Sequence, residues 1–360
     1  MAELHVGVEK LVNVRPHPNA DVLDLANIND PDGFQVVLGR DFYRDDDLVV
    51  YIPDGAIVPD TILEEMGLIG KLGGRTKNVV KAIRLRGEVS QGLVYLPGDW
   101  DLLDLDGYYA SGQNLAEELG IVKFVPEVAI AMSGVIESAP DLRPMFEVES
   151  IKKHGKVFTD GEQVEITEKI HGTCFVSTYV RADDKLQVSS KGSSKDGHAL
   201  KENESNLYWR AAHKYELLNV LRDLSVSFPE AVSISVYGEV FGEGVQDLHY
   251  GFNSRTQQIG FAVYAMVLNL PTGEKWVSPH AMLPNTIPCV PILYSGPYDR
   301  EIVKALTDGK EQFSGKELHI REGVVVQASP PRIDKNLRGL ALVKSVSEAY
   351  LFRKNGTEYQ

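Results

Sequence analysis

At 360 residues, with 43% hydrophobic and 24% charged side chains, the chain suits two folded domains, each able to bury a core. A formal charge of −14 excludes a protein that coats nucleic acid through bulk positive charge, and two cysteines without metal-type spacing exclude a disulfide framework or a zinc site. No apolar run nears the ~18 residues of a membrane span, and "MAELHVGVEKLVNV" lacks the basic-then-apolar order of a secretory signal. A cytoplasmic protein with no membrane partner is expected.

Residues 1–112 read as a domain of short strands and turns. "HVGVEKLVNV", "FQVVLG" and "DLVVYIP" are β-rich, "DPDG" is a turn and "LVYLPGD" closes the series, the texture of a small barrel. The stretch "HPNAD", with His17 and Asn19, reads as a turn alone. Within an acidic surround, "RTKNVVKAIRLRG" carries Arg75, Lys77, Lys81, Arg84 and Arg86 with no acid among them. Strand alternation sends Ile83 and Leu85 to one face and Arg84 with Arg86 to the other, a basic strip suited to RNA phosphates. A solvated face that balances nearby acids is the alternative.

From 113 to 145 the texture loosens into Gly, Pro and Ser among short pieces, "SGQNLAEELGI", "VPEVAIAMSG" and "SAPDLRPM", and a linker is expected there. Residues 146–360 form the second domain. In "ESNLYWRAAHKYELLNVLRDL", Leu207, Ala211, Tyr215, Leu218 and Leu221 recur at helical spacing, which predicts one long helix capped by Ser205. "AVSISVYGEVFGEG", "IGFAVYAMVLNL", "EKWV", "LHIREGVVVQAS" and "GLALVKSV" have the alternating texture of sheets, giving an α+β domain of mostly antiparallel strands. Trp209 and Tyr215 fit the buried stripe of the helix. His198, His213, His249, His280 and Cys289 read as structural or surface residues.

In "EITEKIHGT", Lys169 stands between two apolar runs, and a lone Lys-x-x-Gly says little. Its downstream company says more. "VYGEVFGEG" puts Tyr237 and Glu239 on one strand face, "IREGVVV" sets Glu322 against an apolar run, and "ALVKSV" places Lys344 inside a strand, where a charge is costly unless the face opens on a wet or anionic site. Such a set suits nucleotidyl transfer to a lysine. The amine must lose its proton from a reference pKa near ~10.4, carboxylates can hold ribose and metal, and a second lysine can neutralise the α-phosphate oxygens.

The series "EKIHGT", "SSKG", "YGEVFGEG", "FAVYAM", "REGVVV" and "LVKSV" resembles motifs I, Ia, III, IIIa, IV and V of the covalent nucleotidyltransferases. Its order after a barrel-like piece is similar to the fifth family of ATP-dependent RNA ligases, in which an OB domain precedes the adenylyltransferase domain. "PHPNADVLDLANI", "QVVLG" and "LRGEVSQGLVYLP" likewise resemble OB modules that bind tRNA and related RNA.

The resemblance implies Lys169 as the site of the lysyl-AMP bond, with Glu168, Gly172 and Lys191 as nucleotide contacts. It implies Glu239 for ribose or metal, Phe261 stacked on adenine, Glu322 on the metal and Lys344 on the α-phosphate. ATP and a divalent metal, Mg2+ or Mn2+, would be required. The substrate would be RNA with 5′-phosphate and 3′-OH ends, a nicked duplex included, joined by a monomer in RNA repair.

Three positions depart from the pattern: His171 replaces a common Asp, Cys174 a common Asn, and Leu342 a common Lys. A carboxylate at 171 would favour magnesium, a hard ion. A DNA nick sealer or capping guanylyltransferase, and an RNA-binding protein with a decayed transferase domain, are the alternatives.

Overall fold

The computed structural model describes residues 4–96, 98, 104–125, 132–253, 258–337, 339–354 and 356. It divides into two compact units, one of residues 2–125 with 151–156 and the other of residues 126–150 with 157–360. No helix among the described residues is long and apolar enough to cross a membrane.

In the first unit, alternating β-branched runs form β1 (Gly7–Pro16), β2 (Leu23–Ile28), β3 (Gln35–Gly39) and β4 (Leu48–Ile52). There follow β5 (Ala56–Ile57), α1 (Asp60–Glu65), β6 (Ile83–Leu85), β7 (Glu88–Ser90), β8 (Leu93–Tyr95), α2 (Leu105–Ser111) and β9 (Val122–Lys123). The main sheet runs β3-β2-β1-β4-β8. Its free edges are drawn together when Gln91 N donates to Gln35 O at 2.8 Å, Val37 N to Ser90 Oγ at 3.1 Å and Gln35 Nε2 to Val89 O at 2.8 Å, so the sheet is a nearly closed OB barrel. Leu11, Ala26, Val36, Leu38 and Val49 fill it.

The expected linker begins too early. Leu115, Ala116 and Ile121 are buried in a core of this unit with Val8, Ile52 and Leu63, because α2 and the turn after it fold back onto the barrel. Of "VPEVAIAMSG", residues 126–131 lie outside the described residues. Lys152 belongs here as well, donating to Gln91 Oε1 at 2.6 Å.

The second unit opens with β10 (Ile136–Ser138) and β11 (Glu149–Ser150). Next come β12 (Gln163–Lys169), β13 (Thr173–Val180), β14 (Lys185–Ser190), α3 (Lys191–Lys195), β15 (His198–Leu200), α4 (Leu207–Lys214) and α5 (Leu217–Val226). The chain continues through β16 (Ser233–Phe241), β17 (Gly260–Leu270), β18 (Gly273–Val277), α6 (Pro279–Met282), β19 (Ile292–Pro297) and α7 (Arg300–Thr307). It ends with β20 (Gly323–Ala328), β21 (Ile333–Asp334), β22 (Gly339–Leu340), β23 (Leu342–Val346) and α8 (Glu348–Leu351). Two five-stranded sheets carry it, β11-β23-β20-β12-β19 and β14-β13-β16-β17-β18. The α4–α5 pair packs on the second sheet through Tyr208, Ala211, Leu217 and Leu221 against Phe175, Val236 and Phe261.

The predicted long helix is two. Tyr215 ends α4 and Glu216 takes the left-handed conformation (φ 49°), which reorients α5 so that Leu217 and Leu221 bury on the same sheet. Packing outweighs the ~1–2 kcal/mol cost of that backbone conformation. The cap also shifts by one residue. Asn206, not Ser205, accepts the N–H groups of Tyr208 and Trp209 at 3.0 and 3.2 Å, while Ser205 turns to Asn203. Asn206→Ala is expected to destabilise the second unit by ~1 kcal/mol in urea unfolding, and Ser205→Ala to leave its midpoint unmoved.

Candidate active site

The two sheets of the second unit enclose a pocket lined by Lys169 from the end of β12, Val325 and Gln327 from β20, and Leu342 and Lys344 from β23 on one side. Cys174 of β13, Glu239 of β16, Tyr264 of β17 and Lys191 line the other, and Met145, Phe146 and Val148 also line the pocket. Lys169 Nζ stands 2.7 Å from Glu322 Oε1, a carboxylate set just before β20, where Gly323 pairs with Lys169 itself. Lys191 pairs with Glu147 at 2.7 Å, and Lys195 bonds the other oxygen of that carboxylate.

Crowded charge with little water sets the electrostatics. Burial pushes Glu239 up to about 8, with the Glu322 charge adding and Lys169 opposing; the Gly172 backbone N–H donates to it. Glu168 is pushed up to about 7, chiefly by burial, although its Oε2 accepts Gln312 N–H at 2.7 Å. Lys344 is pulled down by burial and by the charges of Lys169 and Lys191. Cys174 is pushed up to about 11 by burial, its Sγ 3.1 Å from the Tyr264 hydroxyl, so it is a packed thiol and not a nucleophile.

No cluster of three or more metal-type side chains occurs among the described residues. Glu239 and Glu322 are nonetheless oxygen donors of the kind a hard divalent ion takes, and Glu322 Oε2 is buried with no hydrogen-bond partner. Two carboxylates suffice where phosphates and water complete the shell. The residues therefore fit such an ion.

Phe261 is not in the pocket. It is fully buried on the opposite face of its sheet, edge-on to Phe175 at 5.0 Å and beside Tyr215 at 5.5 Å under the helices. The aromatic side chains that line the pocket are Tyr264 and Phe146. Tyr264 lies three residues after Phe261 and so on the opposite, pocket face of β17, at the point where the β16–β17 register slips from Val263 opposite Gly238 to Ala265 opposite Tyr237. Strand alternation read from "FAVYAM" does not foresee the slip.

His171 is also placed otherwise than expected. It is 4% exposed, and its ring bonds Asp247 Oδ1 through Nε2 at 3.0 Å and the Tyr350 hydroxyl through Nδ1 at 3.0 Å, while its backbone N–H donates to the Tyr250 hydroxyl at 2.8 Å. Arg353 closes the network, with Nε 2.8 Å from Asp247 Oδ2 and its guanidinium 3.6 Å above the Tyr350 ring. A ring held on both nitrogens offers no metal site in this chain. Gly172 follows for steric reasons. A Cβ there would lie 2.2 Å from the Val240 carbonyl oxygen and 2.9 Å from Glu239 Cγ. Asp247, Tyr264, Tyr350 and Arg353 were invisible as partners in the sequence, since they lie far from motif I in the chain and carry no spacing signal.

In the first unit Arg75, Lys77, Lys81, Arg84 and Arg86 are all exposed. The strip geometry differs from expectation. All three residues of β6 are exposed, and Arg86 sits with Gly87 in the two-residue turn to β7 at φ 47° and 96°, so Arg86 belongs to a hairpin tip and not to a strand face.

A family model for RNA ligase matches residues 162–346, and an OB-fold domain model matches residues 5–97. No curated protein matches in sequence. The structure is similar to Naegleria gruberi RNA ligase with PPi, at a TM-score of 0.75 and 21% identity over 97% of this chain and 98% of that one. It is similar too to mutants of that protein with ATP and Mn (0.73, 21%, 97% and 98%) and with AMP and Mn (0.72, 20%, 97% and 98%). At these identities the likeness establishes the shared fold across both units.

Two outcomes follow from the buried charges. Glu168 has a folded pKa raised to about 7 from 4.5, so the stability it contributes is present below pH 4.5 and is lost as pH rises through about 7. Glu168→Gln should therefore melt above the unsubstituted protein at pH 8, with the gap closing by pH 4.5; equal gaps at both would show that the carboxyl is not desolvated. His171→Asp sets a carboxylate against Asp247 and abandons Tyr350, and should lower stability in urea by ~2–4 kcal/mol. An unchanged midpoint would mean the network carries no load.

Proposed function

The chain belongs to the RNA ligase family, and we propose that it is an ATP-dependent RNA ligase working through a lysyl-AMP intermediate on Lys169. The carrying observation is that Lys169, 2.7 Å from Glu322, lines a pocket together with Lys191, Glu239 and Lys344. The structures of the Naegleria enzyme with ATP, AMP, PPi and Mn support the same choice of nucleotide and ion.

In the first step the Lys169 amine, having passed its proton towards Glu322 or water, attacks the α-phosphorus of ATP. A phosphoramidate N–P bond forms and the bond to pyrophosphate breaks. Lys344 and Lys191 meet the negative charge gathering on the phosphate oxygens, a term worth most in a dry site. Tyr264, Val290, Val325 and Leu342 give the base an apolar slot, and Glu168 lies at its edge. A divalent ion, when bound, offsets phosphate charge, and Glu239 and Glu322 would hold it. AMP then passes to an RNA 5′-phosphate, and a 3′-hydroxyl displaces AMP to form the phosphodiester.

Arg75, Lys77, Lys81, Arg84 and Arg86 hold RNA phosphates on the OB unit in this reading. The substrate is RNA with 5′-phosphate and 3′-OH ends, a nicked duplex included, and the enzyme acts as a cytoplasmic monomer in RNA repair.

Incubation with α-labelled ATP and magnesium or manganese should label the protein at one peptide containing Lys169, and Lys169→Ala should abolish the label. Labelling by GTP in place of ATP would point to a capping-type transferase, no adduct at all to a decayed one, and a fully labelled Lys169→Ala would refute the nucleophile.

A further inference from the structure

The "HPNAD" stretch does more than turn the chain. His17 is 4% exposed although it lies between strands β1 and β2. Its Nδ1 accepts the Asn19 backbone N–H at 3.0 Å, so Nε2 carries the ring proton and donates to the Leu85 carbonyl at 3.0 Å. Asn19 in turn donates from Nδ2 to the Arg86 carbonyl at 3.0 Å. The two carbonyls are consecutive and sit where β6 enters its turn. Two side chains from one loop therefore grip the tip of the hairpin that carries Arg84 and Arg86.

The hairpin's first strand is exposed throughout, with Ile83 44% and Leu85 36% accessible, and a two-stranded hairpin alone is marginal in water. On the second strand Val89 O is bonded by Gln35 and Ser90 Oγ by Val37, so the base is anchored to the barrel. Arg84 Nη1 crosses the turn to the Gly87 carbonyl at 3.1 Å. The clamp is made to main-chain carbonyls and not to the arginine side chains.

We propose that His17 and Asn19 are positioning residues for RNA, clamping the backbone of Leu85 and Arg86 so that Arg84 and Arg86 stand ready for neighbouring phosphates. This rests on the reading that those arginines hold RNA. A fixed hairpin spares the complex the cost of ordering it, so the clamp acts on RNA affinity and not on chemistry at Lys169.

The test is a mutant cycle on the full chain, with binding of a 5′-phosphorylated RNA oligonucleotide measured by anisotropy across a salt series. Covalent labelling by ATP serves as the folding control. Asn19→Ala removes an exposed side chain and should weaken binding about threefold, and His17→Ala about tenfold, each about the worth of a neutral hydrogen bond or two. Both should flatten the salt dependence and keep their labelling. In a chain already carrying Arg84→Ala and Arg86→Ala, neither should weaken binding further, whereas a loss from general destabilisation of the OB unit would add in full. Weaker binding by the arginine variant together with unchanged binding by the clamp variants overturns the clamp, as does full additivity or lost labelling in Asn19→Ala. Unchanged binding by the arginine variant overturns the RNA reading of the hairpin, and the clamp with it.

Discussion

A lysine ammonium and a glutamate carboxylate held 2.7 Å apart, with side chains only 24% and 8% exposed, set the terms for the second unit. Each charge offsets part of the cost of holding the other in a poorly solvated crevice. The crevice gathers Lys191 and Lys344 as well, two more cations whose mutual repulsion an anionic nucleotide would relieve. Burial that costs stability in the empty protein is thus the same burial that makes the charges effective on a phosphate.

Two stacked sheets meet that constraint because each supplies a different part. The β12–β20–β23 sheet brings Lys169 and Lys344 to one wall through hydrogen-bond register, with Glu322 beside Lys169 just before β20. The opposite sheet contributes Glu239, directly paired with Cys174, and Tyr264, on the same face of β17 as Ala262, the residue opposite Glu239. Its far face is given to the α4–α5 helices, so Phe175 and Phe261 pack there as ordinary core. One sheet face carries the charged groups and the other is apolar, the alternation expected of a half-buried strand.

Fine placement depends on contacts made from far along the chain. Residues 170–172 are held by the Tyr250 hydroxyl, by Asp247 and Tyr350 on the His171 ring, and by Gln246 on the Gly172 carbonyl. Arg353, beyond α8, completes that frame by pairing with Asp247. The same principle recurs in the OB unit, where the loop before β2 grips a hairpin more than sixty residues away in sequence (|i−j| 68 from His17 to Leu85). Buried polar groups satisfied on all sides specify one geometry, which is what a reacting amine or a phosphate contact needs.

Period-2 texture made most strands legible, and the ordered residues Lys169, Glu239, Glu322 and Lys344 were legible as one chemical set because a charge inside an apolar run must face something. The barrel was visible for the same reason, in short alternating runs between turn residues. Register, breaks and partners were not. "HKYELL" holds no Gly or Pro to announce the reversal at Glu216, "FAVYAM" does not reveal which of its faces meets the pocket, and "HPNAD" says nothing of the hairpin it clamps. Local patterning is set by each residue's own preference for water or core, and so it is written in the sequence. A bulge, a helix break or a buried histidine's partners minimise the energy of a whole packed unit, and only the tertiary structure decides them.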